Sequence, residues 1–130
     1  MQPIKILVIE DSPLAMLVAK RIMAKMGHQA DFVTNAEMAL LLHYDNTYDL
    51  ILCDLRLPTM SSFLMASTIR MCERKYGLRN TKIIFMTSID HRDIKTAVLA
   101  MGVDALLIKP LQAQCVMSLI EFCQTQVVNA

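Results

Sequence analysis

The amino-acid sequence predicts an α/β domain in which helices cover both faces of a parallel sheet. Two observations carry this prediction. Short apolar runs recur along the chain, as expected of strands that are buried on both faces. Segments with helical periodicity alternate with these runs from one end of the chain to the other. The chain has 130 residues, of which 55% are apolar, which is enough for one domain with one core.

The apolar runs predict five strands, over 4–9, 29–33, 50–53, 82–86 and 105–108. The first helix is predicted over 13–26. Ser12 is a suitable N-cap, and Pro13 suits the first helical position. Gly27 suits the C-terminus of this helix, because glycine readily adopts the left-handed conformation found there.

Four further helices follow the remaining strands. The second is predicted over 36–44 after Asn35 as N-cap, and the third over 63–76 before Gly77. The fourth, over 92–101, and the fifth, over 112–127, carry apolar stripes at helical spacing: Ile94, Ala97, Val98 and Met101, then Val116, Leu119, Ile120, Cys123 and Val127.

Five β/α units predict a doubly wound α/β fold. Right-handed crossovers with helices on both faces leave few topologies, and the flavodoxin-like (βα)5 order 2-1-3-4-5 is the leading one. Strands one and three are then neighbours, and ligands bind at the carboxyl ends of the strands.

Polar residues follow four of the five predicted strands. Glu10 and Asp11 follow the first strand, Asp54 the third, Thr87 the fourth and Lys109 the fifth. The three carboxylates form a hard oxygen site of the kind that Mg²⁺ prefers. Thr87 can donate a hydrogen bond to a phosphoryl oxygen, and Lys109 can pair with its charge. Asp54 is the natural nucleophile, since carboxylates form aspartyl-phosphate intermediates and phosphoryl transfer needs mainly positioning and charge stabilisation.

Composition argues against several other functions. A net charge of +1 lacks the basic excess typical of nucleic-acid binding. No apolar run approaches the length of a membrane span, and the N-terminus does not resemble a signal peptide, so a cytoplasmic location is expected. The cysteines, Cys53, Cys72, Cys115 and Cys123, lack metal or redox spacing and are expected to be buried, reduced thiols. His28, His43 and His91 are expected at the surface or in loops.

Five motifs in order resemble the receiver domain of two-component response regulators over essentially the whole chain. They are the acidic pair Glu10-Asp11, the D-x-x-x-P motif from Asp54 to Pro58, Thr87, the G-x-D motif from Gly102 to Asp104, and Lys109-Pro110. The resemblance implies that Asp54 is the phosphoacceptor. It implies that Glu10, Asp11, Asp54 and the backbone carbonyl of Arg56 bind Mg²⁺. Thr87 and Lys109 would contact the phosphoryl group and carry the switch.

Finer features resemble the receivers of hybrid histidine kinases, notably the segment 8–14 and the pair Gly27-His28. The implied function is Mg²⁺-dependent phosphorylation of Asp54 by a phosphohistidine donor, either a sensor kinase or a histidine phosphotransfer domain. Phosphorylation would alter the affinity for a protein partner. Residues 1–130 are expected to form a single receiver domain without an output domain, which catalyses only its own phosphorylation and dephosphorylation. The alternative is a receiver-like docking module that signals without phosphorylation.

The sequence departs from the receiver pattern at two positions. Ser62 stands where receivers commonly have glycine, so the loop before the third helix is expected to differ. Leu106 stands where they usually have Tyr or Phe, whose ring moves when the threonine engages phosphate. The usual aromatic switch is therefore absent or replaced.

Two other functions are compatible with a doubly wound fold. A phosphatase that forms an aspartyl-phosphate tends to carry a second Asp two residues after its nucleophile, and that position is Arg56 here. A flavodoxin-like cofactor binder would need a small, neutral loop after strand one, where Glu10 and Asp11 would repel phosphate in the absence of metal.

One helix leaves two interpretations open. Residues 14–19 are apolar all round, although one buried stripe needs only about half of them. They form either a deeply covered helix or a docking patch beside the site, and the exposure of Met16 and Leu17 distinguishes the two.

Overall fold

The computed structural model describes residues 3–90 and 92–129. Strands and helices alternate, with these bounds: β1 Lys5–Ile9, α1 Pro13–Met26, β2 Gln29–Val33, α2 Ala36–Asp45, β3 Leu50–Asp54, α3 Ser62–Tyr76, β4 Lys82–Thr87, α4 Arg92–Leu99, β5 Ala105–Ile108 and α5 Ala113–Asn129. All strand pairs are parallel, and the order is β2-β1-β3-β4-β5. The predicted fold is confirmed, and the element bounds agree within two residues.

Local side-chain chemistry fixes the helix ends. Ser12 Oγ accepts a hydrogen bond from the Ala15 amide at 3.3 Å, and Asn35 Oδ1 accepts one from Met38 at 2.8 Å. Both helices therefore begin with an N-cap that satisfies an otherwise unpaired amide. Gly27 ends α1 in the left-handed region with φ of 72°.

The strand register brings the ends of the central strands to one edge of the sheet. Ile9 lies opposite Cys53 in the β1–β3 pair, so Glu10 and Asp54 follow this pair together. Asp54 lies opposite Met86 in the β3–β4 pair. The edge that carries the predicted functional residues is thus the carboxyl edge.

The core has two layers, one on each face of the sheet. Alternate residues of the apolar strands face opposite sides, because the side-chain period of a strand is two. Ile6, Val8 and Leu52 pack towards α1 and α5, whereas Leu7 and Ile51 pack towards α2, α3 and α4. The central strands β1, β3 and β4 are therefore buried on both faces, as their uninterrupted apolar character predicts, whereas the edge strands β2 and β5 are only partly buried.

The two ambiguous residues of α1 have opposite environments. Met16 is buried at 9% exposure, whereas Leu17 is 45% exposed and Leu14 is 73% exposed. The helix therefore buries one stripe and leaves apolar side chains in solvent beside the carboxyl edge. The interpretation that residues 14–19 form a deeply covered helix is therefore wrong.

The apolar stripe predicted for the fourth helix is only partly buried. The helix ends at Leu99, and the Met101 amide donates to the Val98 carbonyl at 3.0 Å in the closing turn. Val98 is buried, but Ala97 and Met101 are exposed. The stripe identifies the apolar face of the helix, but only Val98 and, in part, Ile94 pack against the core.

The predicted burial of Cys53 and Cys123 is confirmed, whereas Cys72 is half-buried and Cys115 is exposed; all four are free thiols. His28 lies in the turn between α1 and β2, as expected, and His43 lies within α2. His28 and His43 are half-buried, and His28 Nδ1 accepts a hydrogen bond from the Ile4 amide at 3.2 Å. His91 lies outside the described residues. Of the described helices, none combines the length and the apolarity that crossing a membrane requires.

Candidate functional site

Asp54 ends β3 with its carboxylate at the surface of the carboxyl edge. Its side chain is 14% exposed. Asp54 Oδ1 accepts a hydrogen bond from the Arg56 amide at 3.0 Å, which fixes the orientation of the carboxylate. The Leu55 amide donates to the Met86 carbonyl at 2.8 Å and holds the start of the following loop against β4. Asp54 is thus both accessible and positioned.

Glu10 lies behind Asp54 and is almost completely buried, with a side chain that is 1% exposed. Its amide donates to the Val33 carbonyl at 3.0 Å, and its Oε1 accepts from the Ser12 amide at 3.1 Å. Burial raises the pKa of the Glu10 carboxyl, and the neighbouring Asp54 adds to this effect, while Lys109 and Ser12 oppose it.

Lys109 connects the two carboxylates. Its Nζ lies 2.7 Å from Glu10 Oε2 and 3.2 Å from Asp54 Oδ2. Burial acts to lower the pKa of Lys109, but hydrogen bonds and charge attraction to Glu10 and Asp54 outweigh it and raise the pKa. The Lys109 amide donates to the Thr87 carbonyl at 2.7 Å, and the peptide bond to Pro110 is cis.

Thr87 lies at the end of β4 and is buried at 4% exposure. Its Oγ1 accepts a hydrogen bond from the Ile89 amide at 3.2 Å. The backbone contact with Lys109 ties the ends of β4 and β5 together, so that both side chains belong to the same edge as Asp54.

Asp11 is exposed, whereas Glu10 is buried and Asp54 is paired with Lys109. Among the described residues, no three His, Cys, Asp or Glu side chains are arranged so that they could hold a metal ion. The physical reason is that Glu10 and Asp54 both point at the Lys109 ammonium. The chemistry of the donors nevertheless fits a hard divalent cation, because the carboxylate oxygens of Glu10 and Asp54 converge on one positive charge.

The loop between β3 and α3 is held by side-chain hydrogen bonds at Ser62 and Thr59. Ser62 is the first residue of α3 and is fully buried, and its hydroxyl donates to the Leu55 carbonyl at 2.8 Å. The left-handed backbone conformation falls instead on Thr59, with φ of 62°. Thr59 Oγ1 donates to Glu37 Oε2, which ties the loop to α2.

Leu106 lies on β5, half-buried against the core cluster that contains Phe85. It is an aliphatic side chain in contact with the core, not a ring that can move between two environments. In the β4–β5 pair Leu106 lies opposite Phe85, and Thr87 lies opposite Ile108.

A cavity of about 560 Å³ opens next to Asp54. Sequence motifs identify its polar residues, including Glu10, Thr87 and Lys109. Its apolar walls were not predicted: Leu14, Ala15, Val18 and Ala19 from α1, and Met86, Ile89, Pro110 and Leu111 from the ends of β4 and β5. The only available signal was the apolar surplus of residues 14–19.

The family model and the curated relatives that match this chain indicate the same family. The response regulator receiver domain family matches residues 6–121. The aerobic respiration control sensor protein ArcB of Escherichia coli K12 is 27% identical over 124 residues, which are 95% of this chain and 16% of ArcB. The chain spans only 13% and 16% of the lengths of the first curated relatives that it matches.

Solved structures share the fold. The co-crystal structure of the Saccharomyces cerevisiae histidine phosphotransfer protein Ypd1 with the receiver domain of Ssk1 matches with a TM-score of 0.84 and 22% identity, covering 91% of this chain and 86% of that one. A receiver domain of a histidine kinase from Syntrophus aciditrophicus matches with a TM-score of 0.78 and 25% identity, covering 95% and 92%. On the family match and the fold together, the chain belongs to the response regulator receiver domain family.

Proposed function

We propose that this receiver domain accepts a phosphoryl group from a phosphohistidine onto Asp54, in a Mg²⁺-dependent reaction, and thereby changes its affinity for a protein partner. The observation that carries the proposal is the arrangement around Asp54. An accessible carboxylate is oriented by the Arg56 amide and faces the ammonium of Lys109 at 3.2 Å. Four of the five residues expected at strand ends, Glu10, Asp54, Thr87 and Lys109, line one cavity, and Asp11 is not among its lining residues.

Asp54 is the nucleophile of the proposed transfer. Its carboxylate oxygen forms a bond to phosphorus while the bond between phosphorus and the donor's imidazole nitrogen breaks, and the electron pair leaves on that nitrogen. The Arg56 amide keeps one carboxylate oxygen engaged at 3.0 Å, so the orientation is set before the donor arrives. Lys109 offsets the charge of the incoming phosphoryl group, and Thr87 donates its hydroxyl to one phosphoryl oxygen.

Receiver domains generally use Mg²⁺ for phosphorylation. Here Glu10, Asp11, Asp54 and the Arg56 carbonyl would hold it, and it would supply positive charge where phosphate and carboxylates meet. The Lys109 ammonium already contacts Glu10 and Asp54. Holding the ion therefore requires these two carboxylates to give up part of their contact with Lys109.

The proposed donor is a sensor histidine kinase or a histidine phosphotransfer domain. Two comparisons support it: ArcB is a sensor protein, and the Ssk1 receiver was crystallised with a histidine phosphotransfer protein. Leu14, which lines the cavity beside Asp54, and Leu17 are 73% and 45% exposed on α1 and offer an apolar contact to such a donor. The alternative of signalling without phosphorylation is not favoured, since the residues needed for the chemistry are present and assembled around Asp54.

Transfer from a protein donor tests the proposal. A histidine phosphotransfer domain carrying radiolabelled phosphohistidine is mixed with the wild-type chain and with Asp54→Asn in the presence of Mg²⁺. Label is expected on the wild type alone, and chelation of the metal is expected to abolish the transfer. If both proteins are labelled, or if several different donors fail to label either protein, the proposed role of Asp54 is contradicted.

A further inference from the structure

The loop that follows β3 carries the backbone carbonyl of Arg56, which is one of the proposed Mg²⁺ ligands. The Arg56 amide donates to Asp54 Oδ1 at 3.0 Å. The Leu55 amide donates to the Met86 carbonyl at 2.8 Å, and the Ser62 hydroxyl closes the loop by donating to the Leu55 carbonyl at 2.8 Å. Both ends of the loop are thus fixed, and the position of the Arg56 carbonyl depends on how the middle of the loop is held.

Thr59 connects the middle of this loop to α2. Its hydroxyl donates to Glu37 Oε2 in the first turn of α2, and the same Oγ1 lies 2.7 Å from the Pro58 carbonyl oxygen. The hydrogen bond from Thr59 lowers the pKa of Glu37, so the acceptor is a full negative charge at neutral pH. Hydrogen bonds to charged acceptors are stronger than those between neutral groups. The Thr59–Glu37 contact therefore ties the loop to a neighbouring helix.

Thr59 makes this contact in an unfavourable backbone conformation. Its φ of 62° lies in the left-handed region, which a β-branched residue rarely adopts. Such strain persists only where the surrounding structure imposes it, and it clusters at functional sites. Leu57 and Met60 pack partly against the core, but Thr59 itself is exposed. Burial therefore does not account for the conformation of Thr59, whereas the contact with Glu37 does.

We infer that Glu37 and Thr59 are positioning residues for Mg²⁺, because their contact holds the loop with the Arg56 carbonyl in place before the ion binds. The inference rests on the proposed function, since that function assigns the Arg56 carbonyl to the metal. Mg²⁺ demands near-ideal octahedral geometry, so it is sensitive to a displaced ligand. A loop that is ordered beforehand also spares metal binding the entropic cost of ordering it. Neither Glu37 nor Thr59 is assigned as a ligand of the ion.

Titration with Mg²⁺ in the absence of any phosphodonor tests the inference. Amide NMR shifts of the full chain are followed, and the Leu57 amide reports on the Arg56 carbonyl because both belong to one peptide unit. Glu37→Ala and Thr59→Val each remove one partner of the hydrogen bond and are expected to weaken Mg²⁺ binding about tenfold, as the loss of outer partners of metal ligands does. Wild-type affinity in either variant would overturn the inference and leave the proposed function intact, whereas a wild type that does not bind Mg²⁺ would overturn both.

Conservative variants distinguish positioning from a direct effect of charge. Glu37→Gln keeps an oxygen that can accept the Thr59 hydroxyl but removes the negative charge, and Thr59→Ser keeps the hydroxyl. Both are expected to bind Mg²⁺ with nearly the wild-type affinity. Asp45→Ala is the matched control, because it removes an exposed carboxylate from the other end of α2 and should leave the affinity unchanged. A loss in Glu37→Gln as large as that in Glu37→Ala would overturn the inference in favour of long-range attraction between Glu37 and the ion.

The double variant and the reaction rate provide two further readouts. Glu37→Ala combined with Thr59→Val should bind Mg²⁺ about as well as either single variant, because each change alone already breaks the contact. Phosphorylation by acetyl phosphate should reach the wild-type rate at saturating Mg²⁺, while the Mg²⁺ concentration that gives half of this rate should rise. Additive losses of affinity in the double variant, or a reduced rate at saturating Mg²⁺, would contradict a role in positioning the metal ligand.

Discussion

Lys109 holds Glu10 at 2.7 Å, a shorter contact than the 3.2 Å that separates it from Asp54. The side chain of Glu10 is 1% exposed, so its charge has little access to water. An ionised carboxylate in such a position is costly unless a cation compensates it. Lys109 supplies that cation, and it joins the buried acid to the more accessible carboxylate of Asp54.

Removal of the ammonium should therefore destabilise the fold. Lys109→Met leaves Glu10 buried without its cation, and we expect a loss of about 3 kcal/mol in the free energy of unfolding, measured by urea denaturation at neutral pH. The control is Lys82→Met: Lys82 lies 4.0 Å from Asp104 with side chains 23% and 33% exposed, and its loss should be about 0–1 kcal/mol. Equal losses in the two variants would refute the special role of the Lys109 contact.

The same pair has a predictable pH dependence. The pKa of Lys109 is raised in the folded state above its ordinary value of 10.5. Its stabilising effect is therefore fully present below 10.5 and is lost as the pH rises through the higher folded-state value. The difference in stability between the wild type and Lys109→Met should narrow only in that alkaline range.

The buried hydroxyl of Ser62 contacts the loop that follows Asp54. Ser62→Ala removes its hydrogen bond to the Leu55 carbonyl, and we expect a loss of about 1 kcal/mol in the free energy of unfolding. Ser67→Ala is the matched control on the same helix, because the Ser67 hydroxyl makes its 3.1 Å bond to the Leu64 carbonyl at an exposed position. A smaller loss for Ser62→Ala than for Ser67→Ala would show that the loop does not depend on this contact.

Thr59 holds a left-handed backbone conformation that is unfavourable for a β-branched residue. Asn tolerates this conformation better, so Thr59→Asn is expected to stabilise the protein by about 0.5–1 kcal/mol despite the lost hydroxyl contact with Glu37. Thr34→Asn, at an exposed loop position outside the left-handed region, should change stability by less than about 0.5 kcal/mol. Chemical denaturation of both variants measures the difference, and destabilisation by Thr59→Asn would mean that the contact with Glu37 outweighs the strain.

Burial of His43 predicts an acid-sensitive contribution to stability. Burial lowers the pKa of the imidazole below its ordinary value of 6.5, and the negative charge of Glu73 offsets only part of this effect. The folded state thus favours neutral His43. The associated stability is present above pH 6.5 and decreases as the pH falls through that value. Unfolding experiments at neutral and mildly acidic pH should show a larger acid-induced loss for the wild type than for His43→Gln; parallel losses would refute this.

Sequence patterns were sufficient for the topology because the strands are apolar on both faces and the crossovers have one hand. The same reasoning placed Glu10, Asp54, Thr87 and Lys109 at one edge, since polar residues directly follow those strands. Side-chain conformations could not be predicted from these patterns. The bridge from Lys109 to Glu10 depends on the length and rotamers of two side chains, which residue spacing does not specify.

Other features could not be predicted because they depend on what lies next to an element. The stripe of α4 showed which side is apolar but not whether anything covers it, and Met101 is 51% exposed. The contact between Thr59 and Glu37 joins residues from separate loops and helices. The cavity walls combine α1 with the ends of β4 and β5, and no motif marks Leu14 or Ile89 as neighbours of Asp54.

The most direct test of the central claim is the intact mass of the chain after incubation with Mg²⁺ and acetyl phosphate. The wild type is expected to gain the mass of one phosphoryl group, and the gain should disappear with Asp54→Asn or when the metal is chelated. An unmodified wild type under conditions that phosphorylate a control receiver, or an equal gain in Asp54→Asn, would contradict the assignment of Asp54 as the phosphoacceptor.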